Sequence, residues 1–187
     1  MSILEIIAAT MGILSVWYAR KNNVLVFPTG IVSVLIYVYI TYSYQIYAEA
    51  GINIYYFLMS VYGWILWTSK NKKIKKRISK NNKRDNIIYL TFFVVLFFAL
   101  YLILNSTDSD VIFLDSITTA LSLTAMLLLA RRKLENWIYW IIADIIYIPL
   151  FIYKELYVTS FQYFIFLVLA ISGYKEWKKL LLSLIHI

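Results

Sequence analysis

The chain has 187 residues, of which 62% are hydrophobic and only 15% charged, and its mean hydropathy is +0.73. A soluble domain carries about 45–50% apolar and about 25% charged residues, so a soluble globular protein and a disordered chain are both excluded. The net charge of +8 does not make it a nucleic-acid binder, because no aromatic residue interleaves the basic run, and the absence of cysteine excludes a disulfide framework, a thiolate metal site and a cysteine nucleophile.

A bilayer core about 30 Å thick needs roughly 20 apolar residues per helix. Seven stretches qualify, at about 2–19, 26–46, 51–69, 86–104, 111–130, 134–153 and 157–174, which predicts an all-α membrane protein. The first opens Met1-Ser2-Ile3-Leu4-Glu5 without a basic region, and Arg20 and Lys21 follow it. That order argues against a signal peptide and for an N-terminus outside. The second has Pro28 at its start, where proline costs little. The third carries Asn53, Tyr55, Tyr56, Ser60, Tyr62, Trp64 and Trp67.

Lys70–Arg84 reads as a solvated basic loop that fixes orientation. The fourth span, rich in Phe, Leu and Val, suits a connector facing lipid or a neighbouring subunit. The fifth adds Thr118, Thr119, Ser122 and Thr124; the seventh adds Thr159, Ser160, Gln162 and Tyr163. The tail Leu180–Ile187 is apolar and either lies on the inner leaflet or stays unstructured. With seven spans, 17 of the 18 Lys and Arg fall on one side, and only Lys154 faces the other, with Glu49, Asp108, Asp110 and Glu155. The positive-inside rule then places the N-terminus outside and the C-terminus in the cytoplasm.

A shift of 110 residues aligns the two ends of the chain without gaps. Leu4 meets Leu114, Glu5 meets Asp115, Lys21 meets Arg131, Tyr37 meets Tyr147, Gly63 meets Gly173 and Trp67 meets Trp177. The spans therefore group as 3+1+3, two parallel repeats joined by a connector, with a site between them near the midplane. The chain divides into a first bundle at 1–70, a basic loop and linker helix at 71–110, and a second bundle with its tail at 111–187.

The sixth span carries the strongest chemistry. Asp144 lies at its middle, where insertion costs about 2.5–3.5 kcal/mol. Trp137, Trp140, Asp144, Tyr147 and Phe151 share one helical face. Two indoles, a carboxyl and a phenol suit a flat cationic solute, and an indole attracts a cation by about 0.5–2 kcal/mol. Alternatives stand beside this reading: Asp144 as a buried packing residue, and Trp137 as an interfacial belt residue beside Arg131, Arg132 and Lys133. The repeat partners of the face are Phe27, Gly30, Val34 and Tyr37. Glu5 and Asp115 read as helix N-terminal charges, and Pro149 as a kink or hinge in the sixth span. A retinal protein is excluded because Tyr157–Tyr174 contains no lysine for a Schiff base. The single histidine is His186, so neither a metal site nor a catalytic triad can be assembled, and no enzyme activity or cofactor is expected.

The segments Leu114–Thr119 and Ala130–Asp144, with the Asn-Trp-x-x-Trp element at Asn136–Trp140, resemble the PnuC family of vitamin transporters. So do Tyr47–Gly51, Tyr62–Trp67, Lys154–Thr159 and Gly173–Trp177. The resemblance implies a SWEET-like pair of three-helix bundles, a homotrimer in a bacterial inner membrane, and uptake of nicotinamide riboside, or in sister groups thiamine or riboflavin. It implies facilitated diffusion with trapping by a cytoplasmic kinase, and it places Trp137 and Trp140 at the substrate. Phe27 departs from the family pattern, in which Trp is common at that place. The resulting candidate site is Tyr37, Asn53, Tyr56, Ser60, Thr118, Trp137, Trp140, Asp144, Tyr147 and Gln162. The competing readings are a structural or receptor-like membrane protein that transports no solute and a SWEET-type sugar carrier, which needs no carboxyl.

Overall fold

The structure is a computed structural model that describes residues 3–71, 73, 76–106 and 111–185. Lys72, Lys75, Asp108, Asp110 and His186 lie outside the described residues. Seven helices follow in order: α1 (Ile3–Arg20), α2 (Val26–Ser43), α3 (Tyr47–Thr68), α4 (Lys83–Leu104), α5 (Ile112–Ala130), α6 (Asn136–Tyr153) and α7 (Tyr157–Ile185). Six of them are long and apolar enough to cross a membrane. The exception is α3, which has the length, at 22 residues, and a sequence rich in Tyr with Glu49, Asn53 and Ser60.

Within each half the helices pack in sequence: α1 on α2 and α2 on α3, then α5 on α6 and α6 on α7. The halves meet twice, through α1 on α7 and through α3 on α5. α4 packs mainly on α5, with Phe93 edge-on to Tyr139 of α6 at a centroid distance of 6.5 Å, and Tyr89 is its one buried residue. Its start is fixed by a capping box, in which the Asp85 N–H donates to Asn82 Oδ1 at 2.7 Å and the Asn82 N–H donates back to the Asp85 carboxylate at 3.3 Å.

Four helices end the same way. Asn22, Gln45, Arg132 and Glu155 adopt left-handed φ values of 52°, 61°, 54° and 58°. At each, two backbone bonds close the last turn: Asn22 N–H to Ala19 O and Asn23 N–H to Tyr18 O, both 2.9 Å, recur as Arg132 N–H to Leu129 O and Lys133 N–H to Leu128 O, also both 2.9 Å. This double closure lets the chain reverse within about three residues. It favours glycine or asparagine, and each of the other three side chains costs roughly 1–2 kcal/mol there. Asn22 and Arg132, and likewise Gln45 and Glu155, are 110 residues apart.

Three expectations need correction. The basic loop is not simply solvated: Ile78 is 6% exposed, the Ser79 N–H donates to Arg132 O at 3.1 Å, and the Leu134 N–H donates to Ser79 O at 2.9 Å. Part of the loop is therefore a strap across the end of α5, because Ile78 offers an apolar anchor between charges. The tail from Leu180 is not unstructured, since α7 continues to Ile185 and Leu181 packs on the core. Finally, α3 begins at Tyr47, so Glu49 lies in its first turn rather than in a loop, where a carboxylate favours the helix dipole.

Candidate substrate-binding site

A cavity of about 470 Å³ lies between the two halves. That is within the range of sites for small organic ligands. One wall is the α2 face of Phe27, Gly30, Val34 and Tyr37, joined by Asn53, Tyr56 and Ser60 of α3. The opposite wall is Trp137, Trp140, Asp144 and Phe151 of α6, with Ser122 of α5 and Gln162 and Tyr163 of α7. The four α2 residues that the 110-residue shift pairs with the α6 stripe therefore all face the cavity.

The cavity is closed at the end that carries Arg20 and Arg131–Lys133. Phe27, Trp67, Trp177 and Trp137 form a chain of ring contacts there, with centroids 4.9, 6.0 and 5.5 Å apart along it. Two indoles tie the halves together: Trp67 Nε1 donates to Ala130 O at 3.1 Å, and Trp177 Nε1 donates to Ala19 O at 2.9 Å. Arg20 adds an ion pair with Glu176 at 3.2 Å and donates to Ser172 Oγ at 3.2 Å. Gly63 and Gly173 make this packing possible. A Cβ on Gly63 would strike the Phe27 ring, and one on Gly173 would lie 2.6 Å from two carbons of the Trp137 ring.

The other end is open. Glu49 and Leu156 line the cavity there and are exposed. Beside this mouth the Lys154 ammonium donates to both Asp115 oxygens, at 2.9 and 3.0 Å. Both charges act on Glu49.

Asp144 is 2% exposed, and none of the described cations pairs with it. Its carboxyl therefore stands in an apolar, aromatic setting with the cavity as its outlet. Trp137 is 1% exposed and forms the floor of the cavity, which removes the interfacial-belt reading for it. Trp140 is half-buried one turn deeper along α6. Tyr37 stands beside Gln162 across the gap between halves.

Two candidates stand elsewhere. Thr118 is fully buried away from the cavity, and its hydroxyl donates to Leu114 O at 2.7 Å within α5. Tyr147 turns aside to stack in an aromatic cluster, 4.5 Å from Tyr163 and 5.5 Å from Phe151. A helix turns 3.6 residues per revolution, so Tyr147 points about 80° away from Trp137, at the edge of the stripe.

The candidate list lacks Ser122, Tyr163 and Glu49. Ser122 is 2% exposed on the cavity wall, and its hydroxyl lacks a hydrogen bond although Tyr56 and Tyr147 both approach it. Its spacing from Thr118 along α5 gave no signal that set it apart from the other hydroxyls. Among the described residues no cluster of three or more His, Asp and Glu could hold a metal ion.

Membrane-length helices enclosing a cavity of mixed aromatic and polar character define a multi-pass membrane carrier. The chain matches the family model for nicotinamide mononucleotide transporters over residues 2–179 and belongs to that family. It is 26% identical to the nicotinamide riboside transporter PnuC of Escherichia coli, an alignment covering 95% of this chain and 85% of that one. With the PnuC of Neisseria mucosa the identity is 25%, over 93% and 71% of the two chains. The crystal structure of a vitamin B3 transporter PnuC superposes with a TM-score of 0.75 at 25% identity, covering 95% of this chain and 81% of the other. The resemblance seen in the Asn136–Trp140 element is thereby borne out, and the chain is a membrane transporter, not an enzyme.

Proposed function

We propose that this protein takes up nicotinamide riboside across a bacterial inner membrane. The observation that carries the reading is Asp144, an unpaired carboxyl on the wall of a buried cavity, one turn of helix from the Trp140 indole. The pyridinium ring of nicotinamide riboside is flat and cationic. It stacks on Trp140, with its charge toward Asp144 and its ribose toward the polar groups of α3 and α7, Asn53, Ser60 and Gln162. The names of the relatives point to the same solute. A neutral sugar has no use for a carboxyl at this position, whereas a cationic ring pairs with it, which disfavours the SWEET-type alternative.

In this reading α3 also crosses the membrane, which makes seven spans, with the N-terminus outside and the C-terminus cytoplasmic. The halves are parallel repeats. Support for the repeat comes from the paired left-handed helix ends, the paired interfaces between halves, and the paired Gly63–Phe27 and Gly173–Trp137 contacts. The four-ring floor then faces the cytoplasm and the mouth at Glu49 faces outward. Transport proceeds by alternating access: the floor opens as the mouth closes. The resemblance implies facilitated diffusion, made one-way by a cytoplasmic kinase that phosphorylates the product. It also implies a homotrimer, and the exposed apolar face of α4, with Leu90, Val95, Phe98 and Leu102, is free to meet a neighbouring subunit.

Thiamine, also a cationic heteroaromatic, is the second reading, and the same carboxyl favours it. Uptake of radiolabelled nicotinamide riboside, thiamine and riboflavin into proteoliposomes separates the three. Saturable entry of nicotinamide riboside, resistant to excess thiamine, is expected. Preferential entry of thiamine selects the second reading, and entry of none removes both.

A further inference from the structure

A second cavity, of about 270 Å³, lies at the basic end of the molecule, away from the transport site. It is lined by Asn22, Arg77, Ile78, Arg132, Leu180 and Ser183. The α1–α2 turn, the strap, the end of α5 and the extended part of α7 thus converge on one hollow. Two of its six lining residues are arginines, and none is acidic. Glu176, one turn back along α7, is paired with Arg20.

The Arg132 guanidinium is held in place before any ligand arrives. It lies 3.9 Å over the Trp67 ring, and its NH1 donates to Lys76 O at 2.8 Å. Its Nε is buried without a hydrogen-bond partner, and so is Asn22 Oδ1. Burial lowers the Arg132 pKa to about 10, with no neighbouring anion to offset it, and the group stays charged at neutral pH. Leaving such groups unpaired costs free energy that a ligand recovers. The missing partners are an acceptor for the Arg132 Nε–H and a donor, such as a hydroxyl, for Asn22 Oδ1.

We infer that this hollow binds a phosphate ester bearing a free hydroxyl, through Arg77, Arg132 and Asn22. Arginine forks match phosphate oxygens in pairs. Basic pockets between helices at the cytoplasmic side of membrane proteins receive anionic headgroups in the same way. The ester has two sources, the glycerol headgroup of phosphatidylglycerol in the inner leaflet and a soluble sugar or polyol phosphate from the cytoplasm. Because Arg132 covers Trp67, a member of the four-ring floor, the bound anion also bears on the floor of the transport cavity. The cytoplasmic placement rests on the topology proposed above; the binding chemistry does not.

The test uses the purified full chain in neutral detergent at fixed ionic strength, with thermal unfolding as readout. Glycerol 3-phosphate is the soluble probe, and phosphatidylglycerol against phosphatidylcholine in mixed micelles is the lipid probe. At least one raises the unfolding midpoint. A response to the lipid alone assigns a headgroup, and a response to glycerol 3-phosphate assigns a soluble ester. Arg77→Gln changes an exposed residue and raises the half-saturating concentration roughly tenfold, the loss of one charge-assisted hydrogen bond. Arg132→Gln abolishes the response, and Lys73→Gln, an exposed charge on the same loop outside the hollow, leaves it intact. No midpoint shift with either probe, or equal responses from wild type and Arg77→Gln, overturns the site. Vitamin transport is not measured, so either reading can fail without the other.

Discussion

Adding a single methyl group at Gly173 should dismantle the floor of the transport cavity. The new Cβ would lie 2.6 Å from Cη2 and Cζ2 of Trp137 and 2.8 Å from Cε2, whereas ordinary contact begins near 3.4 Å. The indole must therefore retreat by about 0.8 Å. It cannot move toward Trp177, whose ring already meets it edge-on at 5.5 Å, and it is 1% exposed. The free direction is into the cavity. Overpacking of this kind costs about 1–3 kcal/mol, and for a chain of this size each kcal/mol lowers Tm by about 2–4 °C. Gly173→Ala should thus lower Tm by several degrees and weaken vitamin binding by calorimetry tenfold or more, because the displaced ring occupies ligand space. The second change Trp137→Phe removes the colliding carbons and should restore most of the Tm while binding stays weak. Wild-type Tm and affinity in Gly173→Ala alone would refute the reasoning.

Three further outcomes follow from the same geometry. Asp144→Asn should weaken a cationic ligand about tenfold to a hundredfold, from a Coulomb attraction near 4 kcal/mol at 4 Å and an effective dielectric of about 20, less desolvation. A neutral benzamide riboside should lose less than threefold in the same titration, and equal losses would show that the charge plays no part. Trp140→Ala should lose about tenfold or more in affinity by calorimetry with little change in Tm, since the ring is only half-buried; unchanged affinity removes it from the site. Trp177→Phe deletes the bond to Ala19 O, worth about 1 kcal/mol, and should loosen the closed end. Faster deuterium uptake at the α1–α2 turn checks this, and unchanged uptake would place the hold elsewhere.

Much of the architecture was legible because lipid imposes a simple rule of length and apolarity. The spans from α4 to α6 lie within a few residues of their expected limits for that reason. The α2 and α6 walls could be paired in advance because Tyr, Gly and Trp recur at one spacing. Side-chain rotation was harder to read. Tyr147 fits a helical stripe by counting, yet it sits where α5 and α7 close in, and its ring finds Tyr163 instead of the cavity. Thr118 illustrates a second limit, since a hydroxyl in a helix can satisfy itself on the carbonyl one turn back. Glu49 looked like a loop charge because a first-turn carboxylate and a loop carboxylate have the same sequence context. The strap was hidden by its own composition, one isoleucine among many lysines and arginines.

The two walls of the cavity differ where they correspond: Gly30 and Val34 on α2 stand opposite Trp140 and Asp144 on α6. At these two positions the α2 face is the smoother one, and the α6 face carries the indole and the carboxyl. Redirecting such a carrier to a new cargo is then a local edit. In the proposed reading, rewriting the Trp140 and Asp144 positions of α6 alters what is chosen, while Gly30 and Val34 continue to supply space.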